Sequence, residues 1–497
     1  MSGEPSADAA GPGADGPLAG SGVDAAGVGG GGGGGGRDGG GGGNAPAPDA
    51  DEGANVADPF VALDGTRIKG RWAETPEHLR IWLGWYDTQL GEACAFMPAA
   101  DGELRCLPQG AQIGLTWRDA ACTIPLWHST SCPHGTTHLL PTTVGCTTRS
   151  AVYQRGAIWQ GDVYSTGSGL CQGGFPPDDT ITYYQIGPEL PASGFVKARE
   201  VGRPLPGGAA PVEPVLLESE DGARASVRWQ DATTKEECSL SSGTDGRMRC
   251  FPHPLSSVSR YYSTDSRCIT EQTLFYTHSV CHPDPAGALV RNPGCSYTLV
   301  SLGPRLTQLF IPDGQMPCFG PVSPDIFVVH AIGPPITDNL AVLEVTVDDS
   351  TAGRLHRVWI GPAGGRRTLS NQWFDSTRRE LCVPQLFADG SYRCAPPLTP
   401  YQSFTFADAQ CTQPVHETLF GDDCPPPMVT FYDDTCERRQ AFYTVNARIT
   451  GPTFTRFRQT GTCDQVDSTG VFHPSNFYSL TRIPDADFAA VTVRDPQ

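Results

Sequence analysis

The feature that most constrains this chain is a register of tryptophan, acid and cysteine that returns every 144 residues. "GWYDTQLGEAC" ends at Cys94, "RWQDATTKEEC" at Cys238 and "QWFDSTRRELC" at Cys382. The tryptophans are Trp85, Trp229 and Trp373. Asp87, Asp231 and Asp375 follow in step, then Glu92, Glu236 and Glu380. The register runs on through Asp101-Gly102, Asp245-Gly246 and Asp389-Gly390 to Arg105-Cys106, Arg249-Cys250 and Arg393-Cys394. Self-similarity at a fixed period means repeated structural units.

The 18 cysteines divide evenly, six to a copy. The first copy holds Cys94, Cys106, Cys122, Cys132, Cys146 and Cys171; the second Cys238, Cys250, Cys268, Cys281, Cys295 and Cys318; the third Cys382, Cys394, Cys411, Cys424, Cys436 and Cys463. An even count at regular spacing reads as a disulfide framework formed in an oxidising compartment. Zinc is the rival reading, but no short C-x2-4-C knuckle is present to close a tetrahedron. Nine intrachain bridges are expected from this count. Neighbour pairing is the first expectation, because Cys94 and Cys106 bracket an Asp-Gly turn signal.

Residues 1–58 stand apart, with glycine runs at Gly29–Gly36 and Gly39–Gly43 and no aromatic residue before Phe60. Such a segment buries too little apolar surface to offset its ordering entropy, so it is expected to be a disordered tether. Beyond it, short apolar runs cut by Gly, Pro and Asp predict strands. The expected fold is all-β: three tandem disulfide-rich repeats, at 59–200, 201–344 and 345–497, with propeller-like blades as one form they can take. "FVAL" at Phe60, "FVKA" at Phe195, "LAVLEV" at Leu340 and "FAAVTV" at Phe488 are four versions of one strand in a three-copy chain. The surplus version favours an open array over a closed ring.

Net charge is −19 with only three lysines, Lys69, Lys197 and Lys235, which argues against nucleic acid or an anionic membrane as a partner. No apolar run reaches the roughly 18 residues of a transmembrane helix, and no apolar signal segment opens the chain. The cysteines outweigh that missing signal, and the expected location is extracellular, on an outer-membrane surface or in a periplasm. "SGEPSADAAGPG" reads like the polar linker behind a lipidated cysteine, so a lipid anchor upstream of this start is expected.

The block W-x-D…E-x-C…DG-x-x-RC-x-P, then D-x-x-C-T, then Y-x-x-G-P-E-L…FV, resembles the cysteine-rich repeat modules of uncharacterised, predicted surface lipoproteins of myxobacteria. The resemblance covers about residues 60–497 and is most specific in the first copy. It implies location and a repeat fold, and no activity.

A catalytic site has little reason to recur three times in step with cysteines, whereas a scaffold element does. Trp85 is expected to cover the disulfide of its own hairpin, Asp87 to accept N–H bonds in the following turn, and Glu92 to reach Arg105. Three calcium sites are the rival reading, but two carboxylates per copy are thin for that ion. His128, His134 and His138 lie close enough in sequence to bind a metal; the second copy offers only His278 and His282. No nucleophile motif and no cofactor signature is present. Trp127 and Trp159 have no counterparts in the other copies; core packing is their first reading, and an aromatic platform for a surface glycan or protein ligand is the functional one. The functional expectation is a surface or periplasmic binding or structural protein. An extracellular polymer-degrading enzyme, such as a glycoside hydrolase with an Asp/Glu pair, is the alternative.

Overall fold

The computed structural model describes residues 62–496 apart from 109–115, 130–136, 145–146, 168–169, 178–180, 203–211, 243–246, 253–254, 260–273, 278–286, 292–296, 307–308, 314–315, 323–327, 337–339, 341, 351, 363–366, 399–404, 419–424, 433–438, 457–461 and 467–475. The tether at 1–58 and His134, His278 and His282 fall outside these residues.

The fold is all-β. Each copy supplies five strands to one sheet, four before a long insert and one after it. The first copy gives β1 (Ile68–Glu74), β2 (Arg80–Asp87), β3 (Glu92–Pro98), β4 (Leu104–Pro108) and β5 (Lys197–Gly202). The second gives β6 (Val212–Ser219), β7 (Arg224–Asp231), β8 (Glu237–Ser242), β9 (Met248–Pro252) and β10 (Val342–Asp348). The third gives β11 (Leu355–Pro362), β12 (Thr368–Asp375), β13 (Glu380–Leu386), β14 (Tyr392–Ala395) and β15 (Ala489–Arg494). Neighbours in sequence are neighbours in the sheet, and β15 pairs with β1, so the fifteen strands close on themselves.

This closure differs from the expected open array. β5, β10 and β15 are the three "FV" strands of the ring. Of the fourth version only Ala62 and Leu63 are described, and there Leu63 bridges Arg224 of the second copy. The opening strand of each copy turns a corner at the same place. A bulge lies between Arg71 and Trp72, between Val215 and Leu216, and between Arg357 and Trp359. A bulge bends its strand and increases the local twist. In β1 and β6, the residues beyond this point meet the fifth strand of the preceding copy, as Trp72–Glu74 meet Thr492–Arg494.

The core is consequently shared between copies. One cluster joins Ile68, Trp85, Cys94 and Cys106 of the first copy to Ala223 and Ala225 of the second. Another joins Val212, Cys238 and Cys250 of the second to Val358 and Ile360 of the third. The last joins Leu355, Trp373, Cys382 and Cys394 of the third to Ala73 and Ile81 of the first.

Each insert leaves after the fourth strand and returns through the fifth. The first is a seven-stranded sheet, in the order Leu170–Phe175, Val163–Gly167, Thr116–Trp117, Pro125–Ser129, Thr182–Leu190, Thr147–Trp159 and Thr137–Val144. The third splits the same plan into a three-stranded and a four-stranded sheet, linked by a bridge between Phe406 and Pro414. The second contains a five-stranded closed barrel and a separate hairpin. Apolar plugs seat the first and third inserts on the ring: Ala99, Leu107, Val152 and Phe195 in one, Phe387, Ala395, Phe442, Ile483 and Phe488 in the other.

Five disulfides lie among the described residues. Cys94–Cys106, Cys238–Cys250 and Cys382–Cys394 each staple a β-hairpin of the ring, as neighbour pairing anticipates. Neighbour pairing fails in the inserts, where Cys122 joins Cys171 and Cys411 joins Cys463. The reason is topological: strand Thr116–Trp117 lies beside Val163–Gly167, and Thr405–Phe406 beside Thr453–Arg456. Cys318 lies on a strand whose side chains are not described; Cys132, Cys146, Cys268, Cys281, Cys295, Cys424 and Cys436 lie outside the described residues. Closing loops of 49 and 52 residues contributes about 4 kcal/mol each in the chain-entropy model. Non-reducing peptide mapping of the oxidised protein should recover Cys122–Cys171 and Cys411–Cys463; a bridge from Cys122 to any other cysteine contradicts this insert topology.

Candidate functional site

The repeated tryptophan and aspartate build scaffold. Trp85 stands opposite Cys94, Trp229 opposite Cys238 and Trp373 opposite Cys382, so each indole lies over its own hairpin's disulfide. Trp85 is 4 % exposed and Trp373 0 %. Two residues on, the aspartate closes a turn. Asp87 Oδ1 accepts the N–H of Gln89 and Leu90, Asp231 those of Thr233 and Thr234, and Asp375 those of Thr377 and Arg378. The turn ends in a left-handed residue, which is Gly91 at φ 71° in the first copy but Lys235 and Arg379 in the others.

An arginine completes the turn in two copies. Arg67 grips Asp87 with Nε at 2.8 Å and Nη2 at 2.6 Å, and its Nη1 donates to the carbonyl of Gly194 at 2.9 Å. Arg354 grips Asp375 with Nε at 2.9 Å and Nη2 at 2.7 Å, and also donates to the carbonyl of Asp487. Both aspartates are fully buried, and each arginine ties its turn to the segment returning from the insert. In the second copy the position is Pro211, and Asp231 is only half-buried. Arg105 has partners other than the expected Glu92. It pairs with Asp101 at 2.9 Å and donates to the carbonyl of Phe195 at 2.6 Å. Arg249 and Arg393 make the same carbonyl bond, to Leu340 and Phe488. The R of the repeated "RC" pair is therefore a clamp on the returning strand.

Asp119, Asp408 and Asp389 also build turns. Asp119 accepts from the Thr123 hydroxyl and from the N–H of Thr123 and Ile124; Asp408 does the same with Thr412 and Gln413. The hydroxyl bond leads in holding each carboxyl below its usual range. This explains D-x-x-C-T. In the Asp-Gly turn, the Ser391 hydroxyl, the Ser391 N–H and Arg393 bring Asp389 down to about 2.

The two nominated tryptophans do not form one platform. Residues directly opposite across paired strands share a face of the sheet. Trp127 stands opposite Tyr184, which stands opposite Ile158. Trp159 stands opposite Tyr183, on the other face, beside the cluster of Leu126, Val163 and Tyr183. Trp127 is only 3 % exposed and packs on Tyr184 with the rings tilted, their centroids 4.7 Å apart. Trp159 is half-exposed and donates its Nε1–H to the carbonyl of Asp162.

His128 shares the Trp159 face, with Nδ1 3.3 Å from the Thr116 hydroxyl, and burial pushes its pKa down. His138 pairs through its backbone with Tyr153; its side chain is not described. No group of three His, Cys, Asp or Glu among the described residues is placed to hold a metal ion.

The first and third inserts set different residues on equivalent positions of the Trp127 face. Trp127 corresponds to His416, Tyr184 to Tyr478, Trp117 to Phe406 and Tyr164 to Phe454. At the outer position, Ile158, 56 % exposed, corresponds to an exposed Arg448 in the third copy. An arginine crowns each face: Arg155 lies 5.2 Å from the Tyr184 ring and Arg456 4.9 Å from Phe406. Sequence reasoning missed Ile158 and Arg448, because their equivalence appears only through strand pairing.

The arginine makes two of the three aspartates energetically distinct. Asp87→Ala removes the turn bonds and also leaves the partly buried Arg67 guanidinium without its carboxylate, and should cost about 3 kcal/mol. Asp231→Ala removes only turn hydrogen bonds and should cost about 1–2 kcal/mol. Denaturant melts of the two variants check this order, and equal losses would contradict it.

No curated protein and no solved structure matches the chain. No helix among the described residues is long and apolar enough to cross a membrane. One family model matches residues 50–364, more than half of the chain. The protein belongs to that family, described as a family of unknown function, DUF7481.

Proposed function

We propose that this disulfide-rich, all-β protein is an exported display protein. In this reading a closed β ring holds three inserts, and the inserts bind a surface glycan or protein ligand. The observation that carries the reading is a contrast. The ring repeats its tryptophans, turn aspartates, clamp arginines and disulfides copy by copy, while the exposed outer position of the insert face changes from Ile158 to Arg448. Residues that only hold a fold recur, and residues that meet a partner are free to diverge. The framework of disulfides, and the resemblance to surface lipoprotein modules, support an oxidising compartment at the cell envelope. The lowered carboxyls at Asp119, Asp389 and Asp408 support a turn-building role for these acids.

The test is a glycan, peptidoglycan and envelope-protein array probed with the oxidised protein, repeated with Ile158→Asp and Arg448→Glu. The reading expects a specific hit that weakens at least tenfold in one of these variants, with melting temperatures unchanged. Binding unaffected by both substitutions would overturn the assignment of these faces.

A further inference from the structure

The ring has three junctions between copies, and they are unequal. β5 meets β6 over five residue pairs, from Ala198↔Ser219 to Gly202↔Val215. β10 meets β11 over six, from Leu343↔Pro362 to Asp348↔Arg357. β15 meets β1 over only three: Trp72↔Arg494, Ala73↔Val493 and Glu74↔Thr492. A short stretch of chain holds each of the first two junctions together, at high effective concentration. The third joins the two ends of the ring and has no such link.

Ion pairs span this seam, as Arg199–Glu218 spans the first junction. Arg71 Nε lies 2.6 Å from Asp495 Oδ1, and Arg494 Nη2 lies 3.5 Å from Glu74 Oε1. Glu74 is buried; His78 at 2.7 Å, then Arg80 at 3.0 Å and Arg494, hold its carboxyl below its usual range against burial. Beneath the seam, Ala73 and Ile81 pack on Leu355, Trp373 and Val491.

We propose that this seam is the surface through which the chain associates with a second copy of itself. When β15 leaves β1, its other edge stays on β14 through Cys394↔Ala489, Arg393↔Ala490 and Tyr392↔Val491. The freed edges of β15 and β1 are complementary templates for strand addition. β15 of one chain then pairs with β1 of another, with the same three residue pairs, ion pairs and core. Two open chains that exchange strands in this way form one larger closed ring, a domain-swapped dimer. The partner is a second copy because the seam's register and charges are matched by this chain's own ends.

The test uses charge reversal in trans. Asp495→Lys places Lys opposite Arg71 within its own chain, and Arg71→Glu places Glu opposite Asp495; both positions are partly exposed. Differently tagged chains are held together in moderate urea, returned to buffer and weighed by native mass spectrometry. In a mixed dimer of the two variants both seams carry opposite charges. In each variant alone every seam is repulsive. Mixed dimers should exceed same-variant dimers about fivefold or more. The double variant Arg71→Glu/Asp495→Lys should behave as wild type, whose tagged chains should exchange partners. Equal yields of mixed and same-variant dimers, or monomer alone in the wild-type exchange, overturn the proposal.

Discussion

Everything else in this fold leans on one contact, made three times: an indole packed over the disulfide of its own hairpin, with the next copy closing the other side. Trp85, Cys94 and Cys106 are completed by Ala223 and Ala225, and Trp373, Cys382 and Cys394 by Ala73 and Ile81. A copy alone would leave its largest apolar surface half-covered. The bulge in each opening strand carries the chain round the corner to the neighbouring copy. The Arg67–Asp87 and Arg354–Asp375 pairs, each with a buried carboxylate and a partly exposed arginine, then fix the turn below the indole and the segment returning from the insert. Desolvating such a pair favours one geometry more than it adds stability.

Much of this was legible in the sequence because it is local. Trp85, Asp87 and Cys94 sit within one hairpin, so their spacing alone states that the indole faces the disulfide and the carboxylate faces the turn. The hairpin disulfide is equally local. Ring closure was not legible, since it depends on which edge meets the last strand, and four similar strands in a three-copy chain point to the wrong answer. Cys122–Cys171 was hidden for a related reason. Its partners become neighbours only after the strand at Val163–Gly167 folds back beside Thr116–Trp117. Trp127 and Trp159 mislead because 32 residues and a bulged register separate them, and only strand pairing shows that they occupy opposite faces.

The division between ring and insert gives the molecule two kinds of residue. Ring positions are held by neighbours in two copies, so change there is costly. Insert faces are supported from behind by their own sheet and plugged to the ring by Phe195 or Phe488. Their outer positions are therefore free to vary, as Ile158 and Arg448 illustrate. Rigid support behind variable residues is the arrangement that binding surfaces generally use.

The shared core is tested most directly by following one copy while damaging another. Trp373→Ala removes the indole from a cluster that includes Ala73 and Ile81 of the first copy. Native-state hydrogen exchange should show protection falling in β1 and β2 as far as in β12 and β13, by about 3–5 kcal/mol. Loss of protection confined to the third copy would mean that each repeat keeps its own core, and would contradict the ring.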